Sequence, residues 1–197
     1  MTLIDIEFQP FGATSLARYG TISASVEVRS IVRPCARDHP SGLALQEIEL
    51  TEPYVKDYDA LPENRPVAWS ARLEPGCSVV LLAHGIDGLL GGAVVTLDPA
   101  AQFALHACKD AALLWDIRVA PDRRRHAVGS RLFEEAAQWA AAQGCSELLA
   151  ETQHTNVVAC RFYADRGCRL LVVDPTAYAD VPLVAHETLL LWTLPLR

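Results

Sequence analysis

The sequence predicts an α/β chain built around one central mixed sheet with helices flanking it, on three observations. Short apolar runs of strand length recur from residue 78 to the end. Two stretches of helical periodicity lie among them, each closed by a glycine. The resulting order, β-β-β-α-β-α-β-β, interleaves the two element types instead of segregating them.

The elements follow in order. Ser78 to Ala83 and Leu89 to Leu97 are apolar runs separated by Gly85-Ile86-Asp87-Gly88, the signature of a β-hairpin. Ala112 to Val119 reads as a third strand. Ser130 to Gln143 reads as a helix, because Leu132, Ala136, Trp139 and Ala140 recur at helical spacing and Gly144 is a stop signal. Ser146 to Thr152 is a strand and Asn156 to Arg166 a second helix, ended by Gly167. Cys168 to Val173 and Glu187 to Thr193 are the last two strands. The first third is expected to be irregular. Pro34, Pro40, Pro53, Pro62, Pro66 and Pro75 exclude long helices there. Glu47-Ile48-Glu49-Leu50 alternates as a half-buried strand, and the polar stretch Glu52 to Arg65 reads as a functional loop or a solvated connector.

A length of 197 residues favours a single domain over 1–197, with 1–23 as an N-terminal extension or an extra strand. With 51% hydrophobic and 21% charged residues, general disorder is excluded. Seventeen Lys and Arg against 24 Asp and Glu leave −7, which argues against a nucleic-acid partner and suits a cationic small molecule. No apolar run approaches the roughly 18 residues of a membrane span. Asp5 and Glu7 stand where a signal peptide would be basic. The six cysteines (35, 77, 108, 145, 160, 168) form no C-x-x-C pair and are expected as free, mostly buried thiols in a reducing cytoplasm.

Chemistry concentrates where strand 112–119 meets helix 130–143. The stretch Val119-Ala120-Pro121-Asp122-Arg123-Arg124-Arg125-His126-Ala127-Val128-Gly129-Ser130 carries a strand into a basic turn and then into a helix amino terminus with small residues. Free N–H groups and the helix dipole make such a terminus a phosphate site, and the arginines and His126 can add charge-assisted contacts. An ordinary helix start with a solvated basic run and a nucleic-acid patch are the other readings.

Arg124-x-x-Ala127-x-Gly129 resembles the R/Q-x-x-G-x-G/A signature of the GNAT superfamily of N-acetyltransferases, with Ala127 where glycine is usual. Negative φ at Ala127 would leave the loop intact; positive φ would lower affinity. Asn156-Val157-Val158-Ala159-Cys160-Arg161-Phe162-Tyr163, followed by Gly167, resembles the family's second block. At ~100° per helical residue, Asn156 and Tyr163 fall within about 20° of each other, with Cys160 about 40° from Asn156. Further stretches are similar to streptothricin acetyltransferases: Leu149-Ala150-Glu151-Thr152-Gln153, Tyr178, His186-Glu187-Thr188, and Tyr54-Val55-Lys56-Asp57-Tyr58.

The resemblance implies a GNAT fold, its central sheet splayed near the middle. It implies transfer of acetyl from acetyl coenzyme A directly to a primary amine, such as a β-lysine amine of streptothricin. The turn from Arg124 through Arg125, His126, Ala127, Val128 and Gly129 to Ser130 would hold the pyrophosphate, with Asn156, Cys160 and Tyr163 also facing the cofactor. A backbone N–H near Ile117 to Val119 would bind the thioester oxygen, and Tyr163 would protonate the leaving thiolate. Glu151 or Asp116 would take the amine's proton. Asp57, with Tyr54 and Tyr58, would grip an ammonium group. A homodimer is compatible with the resemblance. Cys160 has no evident base partner, so an acyl-cysteine route is disfavoured. His84 and His106 are isolated, His186-Glu187 lacks a second histidine, and no metal is expected. Two alternatives stand beside this reading: a GNAT enzyme for another amine (a polyamine, an amino sugar or a protein lysine), and an acetyl coenzyme A-binding module without turnover.

Overall fold

A computed structural model describes residues 4–35, 44–98 and 110–196. Pro40, His106 and Cys108 lie outside the described residues. The chain divides into two compact units: Met1–Ala24, Asp57–Leu149 and Pro195–Arg197 form one, and Ser25–Lys56 with Ala150–Leu194 form the other.

In the first unit, β1 (Asp5–Pro10), β4 (Ser78–Gly85), β5 (Gly88–Thr96), β6 (Ala111–Val119) and the start of β7 (Glu147–Gln153) lie side by side in that order. β1 with β4, β4 with β5 and β5 with β6 are antiparallel. β6 and β7 are joined through helix α2 (Val128–Ala142), the long crossover that parallel neighbours require. The central sheet is therefore mixed, as the sequence predicts. β4 and β5 are buried on both faces, which explains why they read as continuous apolar runs instead of alternating ones. The hairpin between them turns at Ile86-Asp87, and Gly88 takes φ 108° there.

Helix α1 (Ala13–Tyr19) supplies the core on one side. Leu16 and Tyr19 are fully buried with Phe11, Ile22, Trp69, Leu73, Val80, Leu82 and Val94. Burying a leucine of this kind contributes about 2 kcal/mol. Gly92 makes the packing possible, since a Cβ there would meet the Tyr19 ring at 2.8 Å. In β6, Val94 pairs with Asp116 and Val95 with Leu114, so Trp115 is an unpaired bulge residue.

In the second unit, β2 (Ser25–Cys35) and β3 (Ala44–Asp57) form a two-stranded sheet. The end of β7 lies beside β9 (Leu189–Pro195), which pairs antiparallel with β8 (Arg169–Asp174). Helix α3 (Val157–Ala164) completes the unit.

The first third is thus not irregular. Beyond the strand expected around Glu47, which is part of β3, it contains β1, α1 and the long strand β2, and 52–57 belongs to β3 and not to a loop. Its prolines are placed where they do least harm. Pro34 and Pro53 lie within the strands of a two-stranded sheet, where part of each strand's N–H set is not used by the single ladder. Pro62, Pro66 and Pro75 begin short 3-10 turns. Residues 1–23 likewise include an added strand and helix. The expectation of mostly buried thiols is corrected too. Cys35, Cys77, Cys145, Cys160 and Cys168 are all free, but only Cys160 and Cys168 are buried.

Candidate active site

The turn after β6 has an unusual backbone. Arg125 and Ala127 both adopt left-handed conformations, at φ 66° and 64°. For residues with a Cβ this costs about 1–2 kcal/mol each. Strain of this kind is retained where the surroundings impose a particular course on the chain. Ala127 is also the N-cap of α2, which explains why that helix begins at Val128, two residues before its expected start. As alanine it offers no side-chain cap to the first turn, and that turn carries no acidic residue. The first turn of α2 therefore fits an anion such as a pyrophosphate, since N–H groups at a helix start lack intrahelical partners and this turn holds no carboxylate.

The basic residues of the turn are not equivalent. Arg124 is half-buried, and its Nε donates to the Val119 carbonyl at 3.1 Å. Burial holds its pKa below the usual value. Arg125 and His126 are exposed, and His126 Nδ1 lies 2.8 Å from the Arg124 carbonyl. Val128 is buried, while Gly129 and Ser130 are partly exposed. Upstream, Ile117 pairs with Ala93 and Val119 with Gly91 in the β5–β6 ladder.

Asp116 stands just beyond the bulge and accepts from Arg118 Nε at 2.6 Å. Sequence reasoning missed Arg118. Its side chain is 4% exposed, and the guanidinium forks onto Asp59 at 2.8 and 2.9 Å and lies over the rings of Tyr19 and Trp69. The missed signal was two charges at i and i+2 in an otherwise apolar strand, which strand geometry puts on one face. Asp57 is exposed, and its Oδ1 accepts the Asp59 N–H at 3.1 Å; Tyr58 follows it and is half-buried.

The second unit holds the remaining candidates. Glu151 lies midway along β7, half-buried. Tyr178 donates to its Oε1 at 2.5 Å, and Gln153 Nε2 donates to the Tyr178 hydroxyl at 2.8 Å. Burial, reinforced by the Glu151 charge, pushes the Tyr178 phenol far up, so it stays a donor. Asn156 is the N-cap of α3, outside the helix proper, and its Oδ1 accepts the Ala159 N–H at 3.1 Å. The shared helical face expected for Asn156 and Tyr163 is corrected accordingly, because the cap directs the Asn156 carbonyl at its own helix. Tyr163 is 4% exposed, with its ring 6.2 Å from that of Trp192. Cys160 is buried, and burial pushes its thiol up to about 12, which leaves it protonated and unreactive near neutrality. Tyr54 is 41% exposed on β3. Beyond these, Lys56 and Glu187 form a buried pair at 2.5 Å, joined by Thr155 at 3.4 Å. Both residues sit in blocks the resemblance singles out, but nothing in either block names the other as its partner.

Known proteins resemble this chain in sequence and in fold. The Acetyltransferase (GNAT) family matches residues 43–168. Streptothricin acetyltransferase A of Bacillus subtilis (strain 168) is 38% identical over 81 residues, covering 41% of this chain and 46% of the relative. The streptothricin acetyltransferase of Escherichia coli is 31% identical over 107 residues, 54% of this chain and 62% of the relative. The chain thus spans about half to three fifths of the length of these curated relatives. A crystal structure from Bacillus anthracis str. Ames that carries the name streptothricin acetyltransferase and holds acetyl coenzyme A has a TM-score of 0.77. It covers 97% of this chain and 99% of its own, and at 20% identity the likeness is one of fold. Both the turn at 124–130 and the α3 block fall inside the matched region, and the chain belongs to the Acetyltransferase (GNAT) family.

Proposed function

We propose that this protein is an acetyl coenzyme A-dependent N-acetyltransferase acting on a primary amine, streptothricin in particular, by direct transfer with both substrates bound. The observation that carries the reading is the turn at Arg124–Ser130. It combines two left-handed residues, an uncapped helix amino terminus and flanking arginines in a member of this family. The names of the two curated relatives, and the acetyl coenzyme A held in the crystal structure of similar fold, support the substrates.

In this reading Arg124, Arg125, His126, Ala127, Val128, Gly129 and Ser130 bind the pyrophosphate, and Asn156 and Cys160 line the cofactor. A backbone N–H at Ile117 or Val119 donates to the thioester oxygen as charge develops there. Glu151 takes the proton of the attacking amine, its carboxylate aimed by Tyr178. Asp116 is left out of that role because Arg118 already engages it. Tyr163 returns a proton to the leaving thiolate. Asp57, Tyr54 and Tyr58 recognise the ammonium group, the aromatic rings adding cation–π attraction. Much of the rate comes from holding the two substrates together.

The test is product analysis. Incubation with acetyl coenzyme A and streptothricin should yield a monoacetylated drug modified on the β-lysine moiety, and cells expressing the protein should tolerate the drug. Acetylation of a polyamine, amino sugar or protein lysine with none of streptothricin would replace the substrate. Binding of acetyl coenzyme A with no acetylated product from any amine would replace the enzymatic reading.

A further inference from the structure

We propose that Arg118 is a positioning residue that pins the turn at 57–65 to strand β6 and so sets the geometry of amine recognition. The inference rests on the reading that Asp57 and Tyr58 grip the amine.

Arg118 divides its donors between two carboxylates of different origin. Nε goes to Asp116, two residues back on the same strand and the same face, which fixes the guanidinium from below. The outer edge is then presented to Asp59 as a two-pronged fork, at 2.8 and 2.9 Å. Nη1 also donates to the Ile22 carbonyl at 3.3 Å. Tyr19 and Trp69 lie 5.3 and 5.5 Å from the guanidinium carbon and close off its faces, and Gly92 leaves room for the Tyr19 ring. The head has one place to sit.

Asp59 passes that position on to its neighbours. Its N–H is held by Asp57 Oδ1 at 3.1 Å, and its carbonyl accepts from Arg65 Nε at 3.0 Å. The residue that Arg118 grips is therefore bonded directly to the Asp57 carboxylate and adjoins Tyr58. Stability alone does not account for a charge in this place. The pocket is walled by aromatic and aliphatic side chains, where a well-packed apolar residue generally serves as well as a buried ion pair. An ion pair adds direction, because the fork fits Asp59 in one orientation.

The experiment uses the full chain with acetyl coenzyme A and streptothricin. Asp59→Asn keeps the size of the side chain and removes the charge the fork recognises. The expected result is a rise of about tenfold or more in the KM for streptothricin, by loss of a preset geometry. The KM for acetyl coenzyme A should stay within about twofold, and amide hydrogen exchange should accelerate in 57–65 above the rest of the chain. Arg118→Lys, which keeps the charge and loses the fork, should do the same. It serves as the second variant if Asp59→Asn folds poorly. A merely structural role would raise both KM values together or leave both unchanged, with exchange faster throughout the unit; either pattern overturns the proposal. Asp57→Asn and Tyr58→Phe separate the two levels. If they raise the streptothricin KM while Asp59→Asn does not, the positioning role falls and the amine site stands. If they leave it unchanged, the amine site falls and the positioning role falls with it.

Discussion

Tyr178 and Glu151, 27 residues apart in sequence, are joined by a hydrogen bond of 2.5 Å in which the phenol donates to the carboxylate. A phenol held this far from ionisation cannot act as a base, so its effect on Glu151 is to orient it. Glu151→Gln should lower kcat by about a hundredfold or more, the usual loss of a positioned proton acceptor. Tyr178→Phe should lower it by a smaller factor, about tenfold, with KM for acetyl coenzyme A unchanged. Steady-state kinetics on the two variants checks this. Equal activity in Glu151→Gln and the parent would remove Glu151 from proton transfer.

Ala127 at φ 64° stands where glycine has no steric penalty. Ala127→Gly should relieve about 1 kcal/mol of local strain, part of it offset by the greater freedom of glycine in the unfolded chain. The expected outcome is tighter acetyl coenzyme A binding, by up to about fivefold, or a small rise in Tm. Calorimetric titration and thermal unfolding measure the two. Ala127→Val, with a branched side chain forced into the same region, should weaken both.

Lys56 and Glu187 form a pair in which Glu187 is 3% exposed. Removing one partner strands the other, so Lys56→Met should cost about 3 kcal/mol in urea unfolding. The double variant Lys56→Met/Glu187→Leu should recover most of that loss. Failure to recover would mean that the charges themselves are needed for the fold of this unit.

Burial raises the thiols of Cys160 and Cys168 to about 12 and about 11, from an ordinary 9.0. Below pH 9 both folded and unfolded chains hold these protons, and stability is unaffected. Between pH 9 and 11 the unfolded chain loses them first, so folding stability falls as pH rises. The Cys160→Ala/Cys168→Ala variant should show a flatter decline over that window in chemical unfolding, whatever its stability at neutral pH. Near neutrality the single variant Cys168→Ala should keep its turnover, since that thiol is not available as a nucleophile.

From residue 78 onward the strands and helices were legible in the sequence, because apolar periodicity and glycine stops report burial and chain ends directly. Boundaries shifted where one residue's backbone decided them, as Ala127 did for the start of α2. The amino-terminal third was misread because prolines count against regular structure only when their N–H is needed. A strand of a two-stranded sheet accepts a proline at any position whose N–H the single ladder does not use. The candidate site was legible as segments and not as partners. Glu151 and Tyr178 lay in recognised blocks, as did Lys56 and Glu187, yet each pairing is a long-range event that no local spacing encodes. Arg118 was invisible for a related reason: its role depends on Asp59 and on two aromatic rings brought from distant parts of the chain.

The measurement that bears most directly on acetyl transfer is the steady-state release of free coenzyme A from acetyl coenzyme A in the presence of streptothricin, for the parent and for Tyr163→Phe. The account predicts turnover that depends on streptothricin and a kcat that falls at least tenfold in the variant, the loss expected when a general acid is removed. A parent protein that binds acetyl coenzyme A and releases no coenzyme A with streptothricin would contradict it.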